Sequence, residues 1–83
     1  MESTQIDALM AAARKFEHDG AAECAERLYR KAVSTSELFY GVYSPQTGIA
    51  VLELMSFCQN HDNDTEAANL WRRLTAIVLE CEG

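Results

Sequence analysis

The residues best suited to catalysis or metal binding in this chain are Cys58 and His61, followed by Asp62 and Asp64. A Cys-x-x-His spacing is common in zinc sites, because a thiolate and an imidazole are both good zinc ligands. A closed zinc site needs four such ligands, however, and no second Cys or His pair lies at a matching spacing. Cys58 also falls on an apolar helical stripe, which favours a place in the core. The sequence therefore predicts no metal and no cofactor at this cluster.

The two histidines, His18 and His61, are the remaining candidates for acid–base catalysis. Each is expected at a helix end, and a catalytic nucleophile would need one of them beside a Cys or Ser in a cleft. The chain also lacks a Gly-x-Ser-x-Gly motif, a phosphate-binding loop and a glycine-rich dinucleotide turn. We predict that the protein is not an enzyme. The alternative is a small thiol- or metal-dependent enzyme using Cys58 and His61, which would require an accessible Cys58 thiol.

The composition narrows the choice of partners and of location. Seven basic residues against 13 acidic ones give a net charge of −6, which would repel nucleic acid and anionic membrane surfaces. Apolar residues make up 48% of the chain, more than a disordered acidic tail contains. The chain has 3 cysteines, and an odd number cannot all pair in disulfides within one chain, which favours a reducing compartment. The N-terminus lacks the basic start and the apolar run of a secretory signal peptide. We expect a folded, cytoplasmic protein without a nucleic-acid or membrane partner.

Apolar residues recur at helical spacing almost throughout the chain, which predicts an all-α fold. The whole chain, residues 1–83, is expected to form one domain. Four helices are predicted, over about 4–18, 21–40, 45–60 and 64–81.

Residues suited to capping stand at several of the predicted helix ends. Thr4 with Asp7 could form a capping box at the first helix. Ser44 followed by Pro45 is typical of an N-cap and a first helical residue. Asn63 is placed to cap the fourth helix.

The two halves of the chain repeat each other. A shift of 42 residues superimposes Tyr29 on Trp71 and Arg30 on Arg72. This predicts two repeats, over about residues 5–43 and 45–82. The same shift pairs Ala8 with Ala50, Leu9 with Val51, Ala25 with Ala67, Leu28 with Leu70, and Lys31 with Arg73.

The repeats resemble the tetratricopeptide repeat, a helical hairpin with a recurring pattern of apolar, small and aromatic residues. The long spacing, compared with about 34 residues in the common form, looks like that of kinesin light chain repeats. The pattern is carried in the first half by Leu9, Ala12, Ala13 and Phe16, then Ala25, Tyr29 and Ala32. The corresponding residues of the second half are Val51, Leu54, Met55 and Cys58, then Ala67, Trp71 and Leu74. Of these, Met55, Cys58 and Leu74 depart from the family pattern.

The resemblance implies two stacked antiparallel hairpins in a right-handed superhelical arrangement. It also implies a protein–protein interaction module, an adaptor or scaffold, that binds a peptide or helix. In this family the concave face is lined by the first helix of each hairpin. Carried over to this chain, the peptide-binding face consists of Asp7, Met10, Arg14, Glu17, His18, Ile49, Leu52, Ser56, Gln59 and Asn60.

The helical stripes also predict the core. Small residues let paired helices approach, and an aromatic residue fills the gap against the next hairpin. The predicted core consists of Leu9, Ala13, Phe16, Ala25, Leu28, Tyr29, Ala32, Leu54, Cys58, Ala67, Leu70, Trp71 and Leu74.

The last helix carries apolar residues around more than half of its circumference. An exposed apolar patch of this kind usually marks an interface, and two hairpins are fewer than the three or so repeats that a stable array usually needs. We therefore predict a homodimer, the commonest closed assembly, through Leu70, Ile77, Val78 and Leu79. The alternative to the dimer is a monomer whose missing neighbour is another domain or partner. A further alternative is that the chain is a fragment of a longer repeat array.

Overall fold

The computed structural model describes the backbone of residues 2–82 and the side chains of residues 5–80. It confirms the all-α prediction, since the described residues form four helices and no strand. The helices are α1 (Glu2–His18), α2 (Ala22–Tyr40), α3 (Pro45–Asn60) and α4 (Asp64–Glu82).

The helix ends are specified by local hydrogen bonds and by glycine. Gly41 ends α2 with a φ of 97°, a left-handed conformation that favours glycine. The Ser44 side chain accepts a hydrogen bond from the Thr47 N–H at 3.2 Å, as an N-cap should, and Asn63 does the same for Glu66 at 3.5 Å. The Thr4 capping box is wrong, because α1 already begins at Glu2; the Thr4 side chain lies outside the described side chains.

Each helix packs against the next one along the chain: α1 on α2, α2 on α3, and α3 on α4. Because only short turns join α1 to α2 and α3 to α4, these pairs form two antiparallel helical hairpins. The four helices occupy a slab of 39 × 32 × 14 Å. None of the described helices is long and apolar enough to span a bilayer.

Most of the predicted core is buried, with two corrections. Phe16 is 41% exposed and Trp71 is 59% exposed, because each lies on a face that no other described helix covers. Leu9, Leu28 and Leu74 are only partly buried against the core. The buried apolar residues are Ile6, Met10, Ala13, Ala25, Tyr29, Ala32, Val33, Ala50, Val51, Leu54, Met55, Phe57, Cys58, Ala67, Leu70 and Ile77.

Candidate docking face

Cys58 belongs to the buried core, whereas His61 is exposed just after the end of α3. Cys58 is buried, and that burial raises the pKa of its thiol, which lowers the thiolate fraction available as a nucleophile or ligand. The His61 ring stacks on Phe57 with centroids 4.3 Å apart, and its Nε2 lies 3.3 Å from a carboxylate oxygen of Glu17. No group of three or more metal-ligating residues occurs among the described residues. Cys81 lies outside the described side chains.

The predicted concave face is only partly assembled as a groove between α1 and α3. Asp7, Met10 and Ile49 line this inner groove together with Gln46. Met10 is buried, however, so its place on an accessible face is a correction. Its side chain lines the groove beside Ile6 and Tyr40 but exposes little surface.

Two charged residues farther along this face, Arg14 and Glu17, form ion pairs with the second hairpin. Arg14 Nε lies 3.2 Å from Glu53 of α3 and donates a hydrogen bond to it. Glu17 accepts a hydrogen bond from the Tyr29 hydroxyl at 3.1 Å. Burial of Tyr29, followed by the Glu17 hydrogen bond and charge, raises the pKa of Tyr29 to about 12. The remaining predicted residues, His18, Ser56, Gln59 and Asn60, are exposed.

A larger apolar cleft opens between α3 and α4, on the side of the second hairpin that faces away from the first. Its volume is about 370 Å³. Gly48 forms part of it, and a Cβ there would lie 3.3 Å from Ile77 Cγ2, so glycine lets α3 approach α4 closely. The cleft is lined by Pro45, Gly48, Ile49, Leu52, Leu74, Ile77 and Val78.

A second concavity extends this surface along α3 and α4 toward their connecting turn. It is lined by Met55, Gln59, Asp64, Ala67, Ala68 and Trp71. Asp64 is the one charged residue among the described residues that line the two concavities. We call this surface the outer face and define it as Gly48, Leu52, Met55 and Gln59 of α3 with Ala67, Trp71, Leu74 and Val78 of α4.

The outer face brings together residues that the sequence assigned to two different sites. Leu52, predicted to bind a peptide, lies in the same cleft as Val78, predicted to bind a second copy. Their exposed fractions are 45% and 47%. Two of the predicted self-association residues are corrected, since Leu70 and Ile77 are buried toward α3. Leu79 is exposed but does not line the cleft.

Comparison with models of known protein families, with curated proteins and with solved structures finds no match. The resemblance to tetratricopeptide repeats therefore depends on residue patterns within this chain.

The internal repeat, unlike the composition, indicates that the outer face corresponds to a surface that is covered in the first hairpin. With the shift of 42 residues, Leu52 corresponds to Met10, Leu74 to Ala32, and Val78 to Ser36. These three residues of the first hairpin are all buried. The first hairpin thus has its equivalent face covered by the second hairpin, while the second hairpin leaves its own face open.

Proposed function

We propose that this protein is a non-enzymatic interaction module of the tetratricopeptide type, which binds an apolar helical surface on its outer face. The observation that carries the proposal is the open cleft between α3 and α4, lined by apolar residues. An exposed apolar patch of this extent usually marks an interaction site. An amphipathic helix laid in a groove, with apolar anchors one turn apart, is the partner geometry that such a cleft fits.

The contact between the two hairpins is a guide to how such a helix docks. In the first hairpin, Tyr29 packs against Phe57 of α3 with ring centroids 5.5 Å apart. Trp71 is the residue equivalent to Tyr29, and its ring is largely exposed. A partner helix that crosses the second hairpin as α3 crosses the first would cover Trp71 and fill the cleft beside Leu52.

Several observations support an interaction module over an enzyme. The competing thiol activity needs an accessible Cys58, whereas Cys58 is buried with a raised pKa. The net charge of −6 disfavours nucleic acid and anionic membranes as partners. The exposed free thiol of Cys24 is compatible with a reducing, cytoplasmic location.

The inner groove is the second candidate site, because Asp7 and Gln46 give it polar groups beside the apolar Ile49. That arrangement suits a peptide with mixed character, as the family resemblance implies. The two sites share Ile49, but single substitutions elsewhere can distinguish them. Val78 lines only the outer cleft, and Asp7 lines only the inner groove.

The test uses helical peptides selected from a displayed library against the wild-type chain. We expect Val78→Glu to weaken their binding about tenfold or more, since it places a charge in an apolar contact. The matched control Asp7→Arg should leave affinity unchanged. Both side chains are exposed, so neither change should disturb folding. The opposite pattern, with loss only in Asp7→Arg, would move the site to the inner groove.

A further inference from the structure

We infer that the outer face binds the first hairpin of a second copy of this chain, in a head-to-tail arrangement. This inference rests on the outer face being a docking face, as proposed above. It differs from the predicted homodimer through α4, because two different surfaces meet in place of two identical ones. The argument begins with the surface that the first hairpin leaves open.

The first hairpin has an uncovered concavity on the side that faces away from the second hairpin. We call it the front face, and it is lined by Gln5, Ala8, Leu9, Ala12, Lys31 and Thr35. With the shift of 42 residues, Ala8, Leu9 and Ala12 correspond to Ala50, Val51 and Leu54 of α3. Those three α3 residues are almost completely buried. The front face is therefore the exposed counterpart of the α3 surface that packs between the hairpins, as the outer face is the exposed counterpart of the first-hairpin surface.

The sizes of some side chains on the two open faces are complementary, namely Ala12 on the front face and Met55 with Leu74 on the outer face. Inside the chain the first hairpin has small buried residues, Ala13 and Ala32, and α3 has the larger buried Leu54. On the outer face the residues equivalent to Ala13 and Ala32 are the larger Met55 and Leu74.

The front face shows the opposite change, because Ala12 stands where α3 has Leu54. Leu9 and Phe16, by contrast, are larger than the Val51 and Cys58 to which they correspond. The exchange of volume is therefore complementary at Ala12 and not at every position.

The contact between Tyr29 and Phe57 would also have a favourable counterpart between two copies of the chain. Tyr29 packs on Phe57 inside the chain. The corresponding residues are Trp71 on the outer face and Lys15 of α1. Both are exposed, and a lysine ammonium over an indole ring is a favourable cation–π pair.

The residues that would replace the internal ion pairs in a head-to-tail contact do not repel each other. Among the described side chains, four ion pairs join the hairpins: Arg14 with Glu53, Glu17 with His61, Arg30 with Glu66, and Glu37 with Arg73. No equivalent pair joins two like charges, so the charge distribution permits this docking. The equivalent pairs are Ser56 with Ala11, Gln59 with Asp19, Arg72 with Cys24, and Leu79 with Lys31.

A head-to-tail contact leaves one front face and one outer face free at the ends of every open assembly. Such a heterologous interface adds further copies until a ring closes, or else forms an open helical array. A homodimer formed by two outer faces stops at two copies. The two arrangements therefore differ in how many copies assemble and in which substitutions block assembly.

The test uses sedimentation of the full chain and of two blocked variants, Trp71→Arg on the outer face and Ala8→Arg on the front face. Both positions are exposed, and both changes add the same charge, so mixing cannot create a new ion pair. We expect the mass of the wild type to rise beyond twice 9.3 kDa with concentration. Each variant alone should weaken association about thirtyfold, the effect of losing an interface anchor.

Mixing the two variants gives the decisive result. Each retains the face that the other lacks, so the mixture should form a complex that stops at about twice 9.3 kDa. The control Leu38→Arg, at a position 81% exposed and outside both faces, should assemble like the wild type. Circular dichroism checks that every variant keeps its helices.

Three outcomes would overturn the head-to-tail inference. These are a wild type that stays at 9.3 kDa at all concentrations, a mixture that does not associate, and an Ala8→Arg chain that dimerises alone. The last result would favour the homodimer through two outer faces. If the wild type is monomeric and still binds helical peptides in a Val78-dependent way, the inference fails and the proposed docking function stands.

Discussion

At the scale of single residues, Tyr29 is the side chain that joins the two hairpins. Its ring is 3% exposed and packs on Phe57 of α3, while its hydroxyl donates to Glu17 of α1. Tyr29 and these two partners lie on three different helices. The raised pKa of Tyr29, about 12, reflects this burial and the neighbouring carboxylate.

Removing the Tyr29 ring should destabilise the whole domain. We expect Tyr29→Ala to lower the free energy of unfolding by about 3 kcal/mol or more, through lost burial and a cavity between the hairpins. Tyr29→Phe keeps the ring and loses one hydrogen bond, so it should cost only about 1 kcal/mol. Urea unfolding followed by circular dichroism measures both values. A loss near zero for Tyr29→Ala would contradict the assigned packing.

The sequence predicted Tyr29 correctly and Trp71 wrongly, although both occupy the same place in the repeat. A repeat pattern specifies which residues pack against the next hairpin, and it does so whether or not a next hairpin is present. Tyr29 has one in the described structure, and Trp71 does not. The same reasoning applies to Phe16, which is equivalent to the buried Cys58 but lies on the side facing away from the second hairpin.

At the scale of elements, the connection between the hairpins is held by a small polar network. Ser44 caps α3 by accepting from the Thr47 N–H. The Thr47 hydroxyl in turn donates to the Gly41 carbonyl at 2.7 Å, and Thr47 is fully buried. These bonds link the end of α2 to the start of α3, and so they set how one hairpin approaches the other.

Loss of this cap should have a measurable effect on stability. We expect Ser44→Ala to lower the free energy of unfolding by about 1 kcal/mol, the usual effect of removing an N-cap side chain. Ser34→Ala is the matched control, because Ser34 is exposed within α2, and it should leave stability unchanged or slightly higher. Thermal and urea unfolding test the pair. Equal stabilities for the two variants would show that the cap does not hold α3.

The positions of the helices were the most predictable feature of the chain. Pro45, Ser44 and Asn63 act locally, so their roles follow from the neighbouring sequence. The capping box at Thr4 failed because helix-compatible residues precede it, and α1 begins earlier, at Glu2. The outer face was not predicted as one site, because Leu52 and Val78 lie on different helices and meet only when α3 packs on α4.

At the scale of the whole molecule, the two hairpins have similar patterns and different surfaces. The first hairpin contributes Arg14, Glu17, Arg30 and Glu37 to ion pairs with the second. The equivalent residues of the second hairpin are Ser56, Gln59, Arg72 and Leu79. The open end of the molecule therefore depends on apolar contact more than on charge, although the chain as a whole is strongly acidic.

The most direct test of the docking face is the fluorescence of Trp71, the single tryptophan of the chain. Its side chain is 59% exposed on the outer face, so a helix that docks there must remove it from water. We expect its emission to shift to the blue as a selected helical peptide is added, with the same saturation as binding itself. Saturable binding with unchanged Trp71 emission would contradict the proposal that the outer face is the docking site.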